Sequence, residues 1–470
     1  MSLQAQLIII LWMPFVLYLF YRFDYHKAVL IGFIAGWLFL PQQVEFAFPL
    51  IPNYTKLSAT CYSVLLGTCL FDIKRLNSFK FGWLDLPMLV WCLCAFGSSV
   101  TNGLGAYDGF TESLIRTVNY GIPYFIGRIY FSDLKGMRQL AIGILLGGLA
   151  YAPLCFIETV ISPQLHRMVY GYHGLQAFDQ SIRYGGYRPN VFMQHGLAVG
   201  MWMMAATLVG IWLWQAKVIR RLGAFGQIFN IFWIVSALVM TVAIVKSTGA
   251  YFYLIYGIVI LLAAKWLKTG LPMAIMIGMI SFYIFIGATG VLTAEHSNRI
   301  VTVVGDITEP DRAKSLDFRL NNEEILGEKA RQKMIFGWGG WNRNRVYEYS
   351  LNGELEDVST TDSLWIIAFG INGLVGLVSI FSSSLLPALY FWLRYPASLW
   401  FNPQVGSAAV LAAVTVLYML DCTLNNQPNP IFTLVSGALA GLILCQEHLR
   451  FAPPKRSLNP IEIKRLPDSI

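Results

Sequence analysis

Three polar stretches interrupt an otherwise apolar chain, and each carries residues whose type and spacing could handle a phosphorylated substrate. The first runs from Arg183 to Gly196 and holds Arg183, Arg188, Pro189 and His195. A planar guanidinium grips two phosphate oxygens at once, and a helix N-terminus draws anions. Pro189 suits the first turn of a helix. That would set Arg188 at the mouth of a membrane span and His195 about two turns deeper. The plainer roles are an arginine that anchors the helix at the membrane interface and a hydrogen-bonded core histidine. Charge alone leaves Arg188 balanced between the two, because ionisable residues inside a membrane are costly and tend to be functional. For His195 the core role is favoured.

The second stretch runs from Ser315 to Arg345. Ser315 could cap a helix whose Leu316, Leu320, Leu326 and Ala330 approximate one apolar face. Arg319 would project from its first turns, and Glu323, one turn on, favours an ordinary i,i+4 ion pair. The helix should stop at Gly337. Gly337, Gly339 and Gly340, interleaved with Trp338 and Trp341, predict a tight turn that presents indole faces. Such faces suit sugar rings, but they suit a membrane interface slightly better. Arg343 and Arg345 follow directly. The third stretch, Thr360-Thr361-Asp362-Ser363, predicts the N-cap of the next apolar helix. Its functional alternative has Asp362 facing the same cavity as Arg188 and Arg319, where a carboxylate could take a proton from an attacking hydroxyl.

The elements that must position these residues are membrane helices. Of the 470 residues, 56% are hydrophobic and only 13% charged, against about 25% charged in a soluble domain. Thirteen apolar runs lie near 5–20, 28–41, 57–72, 87–101, 114–131, 138–160, 189–214, 227–245, 249–266, 270–290, 363–393, 405–421 and 429–446. Many approach the roughly 20 residues that a bilayer requires. The run at 114–131 is the weakest, because Arg116, Asn119 and Pro123 interrupt it. The fold class expected is an all-α polytopic integral membrane protein with about 12–14 transmembrane helices. One transmembrane domain spans 1–446, a large, partly helical extracytoplasmic loop covers 291–362 within it, and 447–470 form a cytoplasmic tail. Tyr21 to Lys27 follow the first run in place of a small-residue cleavage site, which predicts an uncleaved first span.

With the N-terminus outside, the short inward loops and the tail collect most of the Lys and Arg, among them Lys74, Arg75, Lys217, Arg220, Arg221, Lys265 and Lys268, as the positive-inside rule requires. Two long outward segments break the rule, and their cations need acidic neighbours or bound anions. The large loop has many acids, whereas 161–188 offers only Asp179 against Arg167, Arg183 and Arg188. The net charge of +8 is thus mostly a topology signal and does not point to nucleic acid. The seven cysteines lie in or at the ends of apolar runs; without metal-ligand spacing, they predict small core residues. Gly370, Gly373 and Gly376 recur every three residues, which suits close helix contact. Lys246-Ser247-Thr248-Gly249 predicts a very short turn between two spans.

Taken in order, these motifs resemble those of the bacterial O-antigen ligase and O-antigen polymerase superfamily, inner-membrane enzymes that transfer glycans from undecaprenyl diphosphate carriers. The likeness covers most of the chain after Asp85 and is strongest over 183–200 and 315–376. It rests on four pieces: Tyr-Arg-Pro-Asn-Val-Phe at 187–192; Lys-Ser-Thr-Gly-Ala at 246–250; Phe-Arg at 318–319 followed by Ile-Phe-Gly-Trp-Gly at 335–339; and Asp-Ser-Leu-Trp at 362–365 before Gly-Ile-Asn-Gly-Leu-Val-Gly at 370–376. The resemblance implies that Arg188 and Arg319 bind the diphosphate. Asp362 would serve as base, with Arg183, His195, Trp338, Arg343 and Arg345 as further substrate contacts.

Ligases of this superfamily generally carry a His-Asn pair where this chain has Asp362 and Ser363. Polymerisation of polysaccharide repeat units is therefore the expected activity, with ligation onto another acceptor the alternative. The implied partners are an undecaprenyl-diphosphate-linked glycan and membrane lipid; whether a flippase and a chain-length regulator join them is left open. No DxD-like motif occurs, so neither a metal nor another cofactor is expected. A transporter of lipid-linked glycan, the alternative from another class, would more naturally show repeated halves and charges inside several spans.

Overall fold

The structure, a computed structural model, describes residues 2–48, 51–174, 178, 181–183, 185–224, 227–291, 310–350 and 352–451. Apolar runs become helices because a bilayer offers no partner to a free backbone N–H or C=O. In chain order they are α1 (Leu3–Arg22), α2 (Tyr25–Phe39), α3 (Lys56–Phe71), α4 (Ile73–Asn77), α5 (Leu86–Thr101), α6 (Ala106–Arg116), α7 (Ile122–Tyr130), α8 (Leu134–Ile161), α9 (Leu165–Tyr170), α10 (Gly196–Gln215), α11 (Ile231–Ile244), α12 (Thr248–Leu262), α13 (Leu271–Thr289), α14 (Pro310–Arg331), α15 (Leu364–Arg394), α16 (Gly406–Leu424) and α17 (Pro430–Phe451).

Among the described residues, eight helical stretches are long and apolar enough to cross a membrane. The chain is therefore a multi-pass membrane protein built of helices. Eight is fewer than the expected 12–14, because α2, α3, α11 and the apolar part of α17 are shorter than the roughly 20 residues a straight crossing needs. The weak run at 114–131 is a broken helix: a π-helical turn, Thr117–Gly121, separates α6 from α7, and the buried Arg116 lies 4.2 Å from the Trp91 ring centre.

Burial sorts the helices. In α10 and α16, 89% of the apolar window is buried, against 28% in α1 and α13. The first pair forms the centre, and the second leaves Leu11, Phe15, Phe282 and Phe285 exposed, as lipid-facing helices do. The last turns of α10 and α12 meet the start of α8 at one end of the bundle. There Lys265 Nζ donates to Gln215 Oε1 at 2.7 Å, and Arg138 donates to the Val218 carbonyl at 3.2 Å. The N-termini of α10 and α12 therefore lie together at the other end, about 30 Å away for a 20-residue helix.

Connections depart from the all-α expectation. They carry four antiparallel two-stranded hairpins: β1 (Glu45–Phe48) with β2 (Ile51–Thr55), β3 (Ile182–Arg183) with β4 (Gly186–Tyr187), β5 (Arg221–Ala224) with β6 (Gln227–Asn230), and β7 (Tyr347–Tyr349) with β8 (Leu355–Asp357). Three expected boundaries move. Helix α10 begins at Gly196 rather than at Pro189. Helix α14 begins at Pro310, so Ser315 lies inside it and is not its cap. Helix α17 runs to Phe451, past the expected boundary at 446. The remaining tail, 452–470, and loop residues 292–309 lie outside the described residues.

The glycine triplet works differently from the expected helix contact. Gly373 has φ 63° and ψ −160° and breaks α15. The segment after α14 docks into the break: Trp338 and Gly339 N–H donate to the Gly370 and Ile371 carbonyls at 2.8 and 2.9 Å, and Leu374 N–H donates to Met334 O at 2.8 Å. A Cβ on Gly373 would lie 2.3 Å from the Ile335 carbonyl oxygen. Glycine alone permits both the conformation and the approach. Helix α14 is thereby tied to α15 at a fixed register.

Candidate functional site

A cavity of about 820 Å³ opens among the N-termini of α10 and α12, the C-terminal end of α16, helix α14 and the residues just before α15. Its size falls in the usual range for ligand pockets, about 300–1,000 Å³. Arg183, Arg188, His195, Arg319 and Asp362 all line it, as do Lys246, Ser247 and Thr248 of the short turn before α12. These residues come from four separate parts of the chain.

Arg188 arrives by an unexpected route. The chain does not enter a helix at Pro189. It turns through Val191, whose φ of 51° is left-handed and unusual for a β-branched residue. Such a conformation costs about 1–3 kcal/mol and persists only where its surroundings impose it. The imposing group is Glu158, fully buried on α8. Its Oε2 accepts the Asn190 and Val191 N–H groups at 2.9 and 2.7 Å, and its Oε1 accepts Leu165 N–H at 2.9 Å. The Tyr151 hydroxyl accepts Phe192 N–H at 3.0 Å, while Lys56 and Gln42 both donate to the Phe192 carbonyl at 2.8 Å.

The Arg188 side chain then folds back against Gly196, where a Cβ would lie 2.7 Å from its Cδ and Nε. It donates to Ser247 Oγ at 3.3 Å. The buried guanidinium thus sits beside the first turn of α10, an arrangement that concentrates positive potential. His195 is the N-cap of α10, not a residue two turns inside it. Its Nδ1 accepts Leu197 N–H at 3.1 Å, which leaves the ring proton on Nε2. Burial, then the charges of Arg188 and Arg183, push its pKa down to about 4, so the ring is neutral near pH 7.

On the facing side, Arg319 projects from α14. The expected ion pair with Glu323 does not form, because both Glu323 oxygens are engaged elsewhere. Tyr283 donates to Oε2 at 2.5 Å, and Ser363 Oγ and Trp365 Nε1 each donate to Oε1 at 3.0 Å. Burial raises the Glu323 pKa, and these three hydrogen bonds and the Arg319 charge oppose the rise. Glu323 therefore fastens α14 to α13 and to the start of α15. Asn322 adds the Thr360 N–H at 2.8 Å. Together they place Arg319 and Asp362 on adjoining edges of the cavity. The N-cap of α15 is Ser363, with no capping bond from its side chain, since its hydroxyl serves Glu323. Asp362 is exposed and caps nothing.

Trp338, Arg343 and Arg345 do not reach the lining, contrary to expectation. The Trp338 ring carries Lys329 Nζ at 4.2 Å and Lys333 Nζ at 4.7 Å, and its Nε1 donates to the Lys329 carbonyl at 2.6 Å. Arg343 donates to the Asn102 carbonyl at 3.1 Å. Arg345 pairs with Asp357 across the β7–β8 hairpin and touches Thr361 Oγ1 at 3.5 Å. These side chains make their contacts within the docked segment and its neighbours.

Asp421 is the residue that sequence reasoning missed. It lies at the cavity on α16 and is buried. Tyr253 and Asn425 donate to its Oδ1 at 3.1 and 2.8 Å. It stands at the end of the apolar run near 405–421 and closes that run. The available signal was its place one turn before Asn425-Asn426-Gln427-Pro428, a polar run that itself lines the cavity. Among the described residues, no group of three or more His, Cys, Asp or Glu side chains is placed to hold a metal ion.

The lining therefore gathers four cations, Arg183, Arg188, Lys246 and Arg319, against two carboxylates, Asp362 and Asp421. Such a site attracts an anion and offers carboxylates to accept protons. No protein-family model matches the chain, and no curated protein matches it.

Proposed function

We propose that this protein is a membrane glycosyltransferase acting on an undecaprenyl-diphosphate-linked glycan, and that it lengthens polysaccharide at the extracytoplasmic face of a bacterial inner membrane. The observation that carries this reading is the convergence of Arg188, Arg319 and Asp362 on one cavity, although Arg188 stands more than a hundred residues before the other two. The location has a physical logic as well. The cavity lies at the end of α10 opposite the basic turns Lys217 to Arg221, and positive-inside bias assigns those turns to the cytoplasm.

In this mechanism the diphosphate sits between Arg188 and Arg319. An acceptor hydroxyl oxygen attacks the anomeric carbon as the bond from that carbon to the phosphate oxygen breaks. The bonding pair leaves with the lipid diphosphate, whose growing charge the two fixed guanidiniums stabilise. The hydroxyl proton passes to a cavity carboxylate, with Asp362 the accessible one. A single displacement inverts the anomeric centre. His195, neutral near pH 7, adds no charge and presents Nε2–H as a donor.

The direct test incubates purified protein with a lipid-diphosphate-linked glycan and sizes the products. Longer glycans attached to carrier are expected. Free carrier accumulating with glycan moved to a different lipid acceptor would shift the assignment to ligation. Unchanged substrate under conditions where the protein is folded would refute a transfer reaction.

A further inference from the structure

The cavity lining holds two chemically different sets of groups. One is cationic. The other is a set of hydrogen-bond acceptors that nothing among the described residues satisfies: Asn190 Oδ1, Asp421 Oδ2 and Gln427 Oε1 are each buried and without a partner. Buried polar atoms are almost always paired in folded proteins, so three such atoms in the lining of one cavity describe what belongs there. Amide and carboxylate oxygens accept and do not donate. Their complement is a ligand rich in hydroxyl or N–H donors. An ionised diphosphate has no donors, and a lipid chain has none either. A sugar ring carries several.

Two of the three acceptors are held in place. The backbone N–H of Asn190 is fixed by Glu158 at 2.9 Å. The Gln427 carbonyl accepts the Tyr418 hydroxyl at 3.0 Å, and that hydroxyl accepts Asn429 N–H at 3.1 Å. The linker between α16 and α17 is thereby pinned directly after the Gln427 side chain, and preorganised acceptors favour selective binding.

We infer that Asn190, Asp421 and Gln427 form the carbohydrate subsite of the cavity: they take the hydroxyls of a glycan whose diphosphate lies on the arginines. This rests on the glycan-transfer reading and assigns the atoms that read the sugar. Binding to the purified protein is measured for glycan-free undecaprenyl diphosphate and for the glycan-bearing carrier extracted from producing cells. The wild type should hold the glycan-bearing form more tightly. Asn190→Leu and Gln427→Leu should each remove roughly 3- to 10-fold of that preference, the range for one hydrogen bond, and leave glycan-free binding unchanged. Asn190→Asp and Gln427→Glu keep an acceptor oxygen and should keep the preference.

Equal weakening of both carriers by folded Leu variants, or an unaltered preference, would overturn the subsite. So would a wild type that binds both forms equally. A wild type that binds neither carrier overturns the transfer reading itself. Should Asn190→Leu fail to fold, Gln427→Leu, at a partly buried linker position, decides alone.

Discussion

The segment 181–196 and the segment 310–345 both hold cations away from the basic end of the bundle, and they use them in opposite ways. The first sends Arg183 and Arg188 to the cavity. The second sends Arg319 and keeps five others for its own scaffold: Lys329 and Lys333 on Trp338, Arg331 on the Gly287 carbonyl, Arg343 on the Asn102 carbonyl, and Arg345 on Asp357. The contrast follows the supply of partners. Indole rings, carbonyls and acids surround the cations of the second segment. In the first, the nearby buried acid, Glu158, is occupied by three backbone N–H groups and organises the loop instead of pairing with an arginine. In a membrane protein of this kind, what neighbours a cation says more about its role than how many cations a segment carries.

The strongest way to break this comparison is to truncate an arginine from each class. Arg188→Ala and Arg319→Ala should each lower the initial rate of glycan lengthening by at least about 10²-fold, the scale for losing one preorganised charge stabiliser, with membrane insertion preserved. Arg343→Ala and Arg345→Ala should stay within a few-fold of wild type, because their partners are structural. Comparable losses in all four would erase the distinction between cavity and scaffold cations.

Next in size is the proton acceptor. Asp362→Asn should cost roughly 10²- to 10⁴-fold in rate, and Asp362→Ser should cost as much, since Asp362 caps nothing that serine could restore. Rates for Asp421→Asn in the same assay sharpen the assignment. A large loss there beside a small one for Asp362→Asn would move the proton acceptor from the edge of α15 to α16.

Sequence carried the helices well, because hydropathy is a local property: each of the thirteen apolar runs overlaps a helix, although π-helical turns occur at Thr117–Gly121 and Ala263–Leu267, β6 opens the run at 227–245, and 189–195 is not helical. The cavity was legible in part. Arg188, Arg319 and Asp362 stand in short motifs, and motif order brought them together on paper. What sequence could not carry was the path between them. Val191 looks like any strand or helix residue, and nothing local announces its left-handed turn; the cause is Glu158, more than thirty positions earlier. The i,i+4 spacing of Arg319 and Glu323 suggested a pair for the same reason, since Tyr283, Ser363 and Trp365, which claim Glu323, are each about 40 positions away.

Glu158 and Glu323 therefore test whether the segments are held as described. Glu158→Ala strands three backbone N–H groups and removes the support for Val191; it should destabilise the protein by about 3 kcal/mol or more and impair binding of glycan-free undecaprenyl diphosphate along with it. Glu323→Ala strands side-chain donors that can turn toward other partners, so its stability cost should be smaller, about 1–3 kcal/mol. A Glu158→Ala protein of normal stability would mean that the Val191 turn is set by something else.

The gentlest probe is pH, and it separates the segments by window. Burial and the two neighbouring arginines hold His195 near 4, below the roughly 6.5 of an unfolded histidine. Between those values the unfolded chain takes up the proton first, so the stability His195 allows above pH 6.5 is lost as pH falls toward 4. In the other segment, slight burial of Asp357 works against ionisation, but hydrogen bonds from Arg345 and Ser359 outweigh it and hold the carboxyl below its ordinary value. Its contribution is present above an unfolded pKa of about 4 and is lost only as pH falls further. His195→Asn, which retains an acceptor for Leu197 N–H, should flatten the thermal-stability curve between pH 6.5 and 4 and leave the more acidic limb intact; Asp357→Asn should do the reverse, and weakly, since a partly exposed pair contributes little. If both substitutions altered the same limb, the neutral histidine beside Arg188 could not be the group that titrates there.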